Sequence, residues 1–578
     1  MSDLDPLEEG AASPAPHNPM SHPNAKRQIE ERNKARMQQA GMAHLWEACA
    51  KFSCPEKVET ARNLAQVANE NYRAEPQRVN DTAVSGLRIL SGGIKSWVCP
   101  GPSSAWFGWV PHASLEHDTQ VKDWLADCTD RADKLMEAAG FYTESHLVFQ
   151  DLGVFGTAGL FIDSTGEAPL TIQALSPTQF TFAIDFDRKL SAVRVTYHLS
   201  ADAMLEKFGK DNVPDTVRAD IAAQKGETMH EFIHAVYRRP NAEVLENEAY
   251  LGNPMRMPWA SCWIHVQREI IMEEGGYEEM PFVVPRWRIV TGTNGLYGVA
   301  PAMDALASAR GVNLMDMLLA TTAELAINPR IKAPPGTGAV DLSPGGMTEV
   351  DAGMEGPTEW LSDGVRNFQV GEHFVTRKEA QVLRAFHADL FEQLAPIAQK
   401  REMTNGLVDA LQRESIARIS PAMGQLATDY VGPAMHRIFM ILRRKGVFAE
   451  PPESAFYTDQ AGARYLIFPR VVQTSRMAQA LNSRKVFAYR SAMERLLPLA
   501  ELKPDLMDLY NWEVMHRDLD RGDGMPIGWH LTDEEVAQLR EARAEQQQQM
   551  QQQQLISEMA VKQPEALAQA AQAMGSAA

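Results

Sequence analysis

At 578 residues the chain exceeds what one hydrophobic core organises, and its length predicts roughly three or four structural units. With 44% hydrophobic and 23% charged residues, most of it should fold as ordinary globular protein. Its 56 basic against 75 acidic residues leave a net charge of −19, which excludes a conventional DNA-gripping protein because a duplex would be repelled on average.

Met1-Ser2-Asp3-Leu4-Asp5 lacks the basic and apolar stretches of a signal peptide, and no apolar run is long enough to cross a bilayer. A soluble protein without a membrane partner is therefore expected. Cys49, Cys54, Cys99, Cys128 and Cys262 are odd in number and contain no C-x-x-C pair. That argues against a disulfide framework or zinc ribbon and for a reducing cytoplasm.

Residues 1–24 have no periodicity and are expected to be disordered. A first helix is predicted from Arg27 to Met42, its apolar stripe continuing through Leu45, Trp46, Cys49 and Phe52. Val84, Leu87, Leu90 and Ile94 have helical spacing, and Ser91-Gly92-Gly93 precedes Ser96-Trp97-Val98-Cys99-Pro100 and then Trp106-Phe107. In Asp151-Leu152-Gly153-Val154-Phe155-Gly156-Thr157-Ala158-Gly159-Leu160 the small residues allow a helix end to turn into the strand Leu160-Phe161-Ile162. From Thr171 to Val290 alternation and recurrent turns predict several strands in one α+β region.

Val283, Val284, Trp287 and Ile289 favour a strand that ends at the turn cluster Thr291-Gly292-Thr293-Asn294-Gly295. Pro301 suits the first turn of a helix, where its missing N–H has no helical partner. Met303, Leu306, Leu314, Met317, Leu318 and Leu325 give that helix an apolar face until Asn328-Pro329. On periodicity alone these are an ordinary buried strand and helix. Pro334-Pro335-Gly336-Thr337-Gly338 and Ser343-Pro344-Gly345-Gly346 then predict a loop-rich stretch with short extended pieces such as Asn367-Phe368-Gln369-Val370.

Thr376 and Glu379 have capping-box spacing, and Val382, Leu383, Phe386, Leu390 and Leu394 form the stripe of a second helix. A further helical region from Met403-Thr404-Asn405 to Lys445-Gly446 should be bent or broken at Pro421 and Pro433. Thr532 and Glu535 cap a last helix that begins near Asp533 and meets glutamine tracts at Gln546 to Gln549 and Gln551 to Gln554. Composition leaves open whether those tracts are helical or disordered.

Several motifs could carry chemistry. His230-Glu231-Phe232-Ile233-His234 spells the H-E-x-x-H of zinc peptidases, which chelates only on a helix. Here Phe232, His234 and Val236 alternate with Glu231, Ile233 and Ala235, so the segment reads as a strand. His230 and His234 would then share a face but lie about 13 Å apart, too far to hold one ion. Lys95-Ser96 follows Gly92-Gly93, but no G-x-x-x-x-G-K-[ST] exists, so a phosphate loop is excluded and any ATPase must be another polypeptide. Asp518, Asp520 and Asp523 hint at a calcium loop, but Gly522 occupies a ligand position and Trp529 stands where the bidentate glutamate belongs. Lys400-Arg401 and Arg443-Arg444-Lys445 are the clearest basic clusters of the second half, the latter suited to a helix C-terminus.

Five segments, in common order across residues 84 to 540, resemble the head-to-tail connector family of short-tailed phages, the portal proteins. They are the block from Val84 to Phe107, Asp151 to Leu160, Pro285-Arg286-Trp287 with Tyr297-Gly298-Val299-Ala300-Pro301-Ala302, Met403-Thr404, and Pro504-Asp505-Leu506-Met507-Asp508 with Gly524-Met525-Pro526. In the first of these the resemblance implies a helix end at Ser91-Gly92-Gly93. Asn405-Gly406 departs from the family's pattern after Met403-Thr404. The resemblance implies an α+β, portal-type protomer with wing, helical stem, clip and helical crown, assembled into a dodecameric ring. On that division residues 1–24 are a tail, 25–300 the wing, 301–327 the first stem helix, 328–375 the clip and 376–400 the second stem helix. Residues 401–505 hold a channel loop, long helix and crown-proximal region, and 506–578 a helical crown or barrel with the Gln-rich tail.

The resemblance further implies a channel for packaging and ejecting double-stranded DNA at one capsid vertex, in the virion and, during assembly, in the host cytoplasm. An acidic lumen would let DNA slide rather than stall. The implied partners are terminase, the major capsid and scaffold proteins, and a tail adaptor docking on the clip around Pro334, Pro335 and Pro344. Lys400 and Arg401 are the expected channel contacts with DNA. No catalytic residue, cofactor or metal is assigned. Two other classes stay in view: a zinc metallopeptidase using His230, Glu231 and His234, and a virion scaffold or adaptor without a channel.

Overall fold

The computed structural model of the chain describes residues 23–62, 78–102, 106–115, 118–164, 168–239, 254–290, 296–327, 331–332, 359–360, 368–391, 419–458, 464–473 and 533–562, with isolated positions 493, 512, 515 and 516. The chain starts with helix α1 (Pro23–Ser53), a short α2 (Val58–Arg62), α3 (Thr82–Val98), strand β1 (Phe107–Val110), α4 (Thr119–Ala138) and α5 (Phe141–Phe155). Strands β2 (Gly159–Asp163), β3 (Thr171–Leu175), β4 (Phe180–Ile184) and β5 (Leu190–Ser200) follow, then α6 (Ala201–Phe208) and α7 (Asp215–Ala222). Next come β6 (Met229–Arg238), β7 (Trp259–His265), β8 (Ile270–Tyr277) and β9 (Phe282–Val283). Two long helices, α8 (Pro301–Ile327) and α9 (Phe368–Ala385), flank the two-residue ladder of β10 (Ile331–Lys332) with β11 (Glu359–Trp360). The last elements are α10 (Gly432–Arg444), β12 (Phe456–Thr458), β13 (Arg464–Leu466), β14 (Arg470–Gln473) and α11 (Asp533–Lys562).

The main sheet is an antiparallel meander in the order β4-β5-β6-β7-β8. Alternation puts Phe232 and His234 on one face and Ile233 and Ala235 on the other, and both faces are buried. Helices α6 and α7 cover the first with Met204, Phe208 and Val217. The start of α1 covers the second with Ala25 and Ile29 against Ile233, Cys262 and Ile264. Because α1 lies on a sheet rather than in water, its buried polar residues need partners. Arg32 pairs with Glu231, Arg194 bonds both Gln28 and Glu31, and Arg36 donates to Thr196 Oγ1 at 2.9 Å.

A second sheet, β3-β2-β9, leads from α5 back toward α8. The largest apolar core joins α1, α3, α4 and α5 to α9 and α10, with Trp46, Trp106, Phe149 and Tyr430 fully buried. Residues far apart in sequence close it: β1 pairs with β14, and Tyr430 Oη bonds Ser145 Oγ at 2.7 Å.

Several sequence expectations are corrected. Helix α1 begins at Pro23, where Asn24 Nδ2 bonds the Tyr237 hydroxyl at 2.7 Å. Ser91-Gly92-Gly93 lies inside α3 instead of ending it, because Gly93 seats the Phe391 ring where a Cβ would stand 2.5 Å away. Phe368, Gln369 and Val370 are helical, not extended, and α9 starts before Thr376. Thr376 is no cap: its hydroxyl donates back to the Glu372 carbonyl at 3.0 Å, while Glu379 accepts from Asn80 and Thr82. Local capping chemistry lost there to packing between helices. Pro433 does not break its helix: it stands in the first turn of α10, which continues directly from a π-turn at Ala427–Val431. The glutamines of α11 are helical.

Candidate functional site: a junction of motif segments

The two glycine-bearing motifs, distant in sequence, meet backbone to backbone. Helix α5 ends at Gly156, whose φ of +75° lies in the left-handed region that costs glycine little. A Cβ on Gly156 would stand 2.3 Å from the Gly298 carbonyl oxygen, and one on Gly298 2.2 Å from that of Gly156. Trp287 N donates to Gly156 O at 2.9 Å, Ala158 N to Pro285 O at 3.2 Å, and Gly298 N to the buried Thr157 Oγ1 at 2.9 Å. The turn is fixed further by Val299 N to Arg288 O at 2.8 Å.

Side chains carry the junction outward. Tyr297 stands edge-on to Trp46 and Phe182, each 5.3 Å between centroids, tying the turn to α1 and β4. The Arg286 guanidinium reaches Asp429 in the π-turn at 3.3 Å, and Arg288 holds Asp304 in the first turn of α8 at 3.0 Å. Asp151 is buried and bonded to Lys57; burial pushes its carboxyl up while the ammonium pulls it down. The junction thus sets the direction in which α8 leaves the body.

Helices α8 and α9 run antiparallel, with Leu319 against Gly371 and Ser308 Oγ 3.3 Å from Gln381. Asn80, just before α3, staples the pair. Its amide donates to Asp316 at 2.7 Å and Glu379 at 3.0 Å, while Asn313 Oδ1 accepts from the backbone N–H groups of Val79 and Asn80. On the side of α8 turned away from α9, Leu314, Met317 and Leu318 are 59%, 41% and 51% exposed.

The H-E-x-x-H segment is strand β6, which removes the geometry a zinc peptidase needs. His234 is fully buried, stacked on Trp263 at 4.0 Å and 2.9 Å from Ser261 Oγ. Burial, with Lys207 nearby, pushes its pKa down to about 3. Glu231 lies on the opposite face with Arg32, and His230 sits 3.1 Å from Asp220. Arg444 is not a free basic group, since it grips Glu278 at 2.8 Å and Glu279 at 2.6 Å. Buried Arg437 bonds Glu279 and the Ile162 carbonyl beside it. Lys400, Arg401, Pro334, Pro335, Pro344 and the Asp518 to Trp529 stretch lie outside the described residues.

Sequence reading located both glycine motifs but not their mutual contact, and it missed Asn80, Asn313 and Asp316. Only the small-residue composition of Gly156-Thr157-Ala158 signalled that another backbone approaches there.

The described residues form an α+β scaffold in which short motifs set helix directions rather than gather reactive groups. The chain belongs to the family of bacteriophage head to tail connecting proteins, whose sequence profile matches residues 25–529. It is 23% identical over 532 residues to the probable portal protein of Bordetella phage BPP-1, covering 89% of this chain and 90% of that one. It is also 23% identical over 497 residues to the portal protein of Salmonella phage epsilon15, covering 84% and 86%.

Proposed function

We propose that copies of this chain close into the portal ring at one capsid vertex, through whose channel double-stranded DNA enters during packaging and leaves during ejection. Family membership supports the class, and the apolar stripe of Leu314, Met317 and Leu318 is the single observation that carries assembly. An exposed stripe on a long helix costs solubility unless a partner covers it. A neighbouring copy meeting it head-to-tail generates a ring when the rotation closes. Twelve subunits is the number the resemblance implies.

In this reading α8 and α9 are the stem, and the β10–β11 ladder closes the base of a clip containing Pro334, Pro335 and Pro344, where a tail adaptor docks. Terminase and the capsid and scaffold proteins are the other partners, and Lys400 and Arg401 face the channel. No step of chemistry is assigned to the chain. The protein is a virion component that assembles in the host cytoplasm.

Native mass spectrometry of the purified protein, with negative-stain images, tests the reading. Closed rings of about twelve copies with a central hole are expected from closed cyclic symmetry. Assemblies without a hole would favour a scaffold or adaptor instead.

A further inference from the structure

We propose that the outward face shared by α3 and α9, carrying Arg88, Arg377 and Arg384, contacts the phosphate backbone of DNA. This rests on the ring reading but assigns contacts at new positions. Thr82 meets Glu379 within α9, and Gly86, one turn further along α3, meets Phe386, the residue that follows the end of α9, so the two helices run in the same direction. At about 100° per residue, the exposed stripe of α3 (Ser85, Arg88, Gly92, Ser96) lies to one side of that contact line. The exposed stripe of α9 (His373, Arg377, Ala380, Arg384) is rotated from it in the opposite sense. On parallel neighbours, opposite rotations bring both stripes to the same side.

The face places three arginines together on a chain whose net charge is −19. Exposed arginines elsewhere are often neutralised, as in Arg27–Glu31, Arg131–Asp127, Arg218–Asp215 and Arg288–Asp304. Among the described residues, Arg88, Arg377 and Arg384 make no ion pair. Of the nearby carboxylates, Asp81 pairs with Arg78, while Glu379 accepts hydrogen bonds from the uncharged Asn80 and Thr82. Glu372 is more than a turn before Arg377. Arg377 and Arg384 are two turns apart, about 10 Å along the axis. Gly92, one turn along α3 from Arg88, adds no side chain to the exposed stripe, and nothing lies within 4 Å of where its Cβ would stand.

Such a face suits sequence-independent, salt-sensitive contact, because guanidinium and phosphate interact through charge and displaced counterions, not base edges. Each copy in a ring would supply a few contacts, weak enough for a duplex to move across them.

The test uses full-length assembled protein and a short duplex of arbitrary sequence, with binding followed by fluorescence anisotropy from about 50 to 200 mM salt. The triple variant Arg88→Gln, Arg377→Gln, Arg384→Gln should lower the slope of log affinity against log salt by about 0.9 for each phosphate that is no longer neutralised. Lysine at the same three positions should keep the slope. An unchanged slope in glutamine-variant rings of normal mass, or no duplex binding by the unaltered ring at low salt, overturns the proposal and leaves the ring reading intact. Failure of the unaltered chain to form rings overturns that reading itself. Poly-glutamate binding that requires the three arginines while duplex binding does not would assign the face to an acidic protein partner, and also overturns it.

Discussion

Gly156 and Gly298 touch backbone to backbone, each where a Cβ would lie within 2.3 Å of the other's carbonyl oxygen. Only glycine fits at both places, and Gly156 additionally holds a φ of +75°. Gly156→Ala and Gly298→Ala should each destabilise the fold by at least about 2 kcal/mol, the former more because strain adds to the clash. Urea unfolding would read this, and midpoints equal to that of the unaltered protein would refute the close contact.

Asn80→Ala removes the amide that bridges Asp316 on α8 and Glu379 on α9. Two carboxylates then lose a donor, and the expected cost is about 1–3 kcal/mol. The same variant should raise amide exchange in the first turn of α3 and across the facing turns of α8 and α9. Exchange confined to other helices would show that the staple is unimportant.

Leu314→Lys with Leu318→Lys should abolish rings while the thermal midpoint of the monomer stays within a few degrees, because both side chains already face solvent. Ring mass is the readout. Intact rings in this variant would move the subunit interface away from α8.

Acid should destabilise the protein well above the usual carboxylate range. Burial pushes His234 down to about 3 and His265 to about 4, from 6.5. The folded state therefore keeps them neutral while the unfolded state takes up protons below 6.5, so stability falls as pH drops through that window. Each contributes at most about 1.4 kcal/mol per pH unit. His146, His198, His387 and His436 are lowered in the same direction by burial. Urea midpoints should be lower at about pH 5.5 than at about pH 7.5, and His265→Gln should flatten the dependence. A flat profile between those values would contradict this account.

All five cysteines are buried as free thiols, and burial pushes each pKa up to about 12. A maleimide should label none in the native protein at neutral pH and all five in urea, counted by intact mass. Fast native labelling of Cys54 would indicate that the region around Lys57 and Asp151 opens.

Local pattern by itself determined the strand nature of His230 to His234, the helix from Pro301 and the apolar stripe of α3, because each repeats a period over enough residues to outweigh single exceptions. It also supplied the short motifs whose order placed the chain in its family. It failed where the decisive partner was remote. Thr376 and Glu379 look like a cap, yet Glu379 is taken by Asn80 and Thr82 almost 300 positions earlier, with separations of 299 and 297. Gly92 and Gly93 look like a helix end, yet Phe391 packs where the second lacks a side chain. Helix ends and carboxylate partners are settled by contacts between distant segments, and only the tertiary structure decides those, because sequence periodicity records which face is buried but not what buries it.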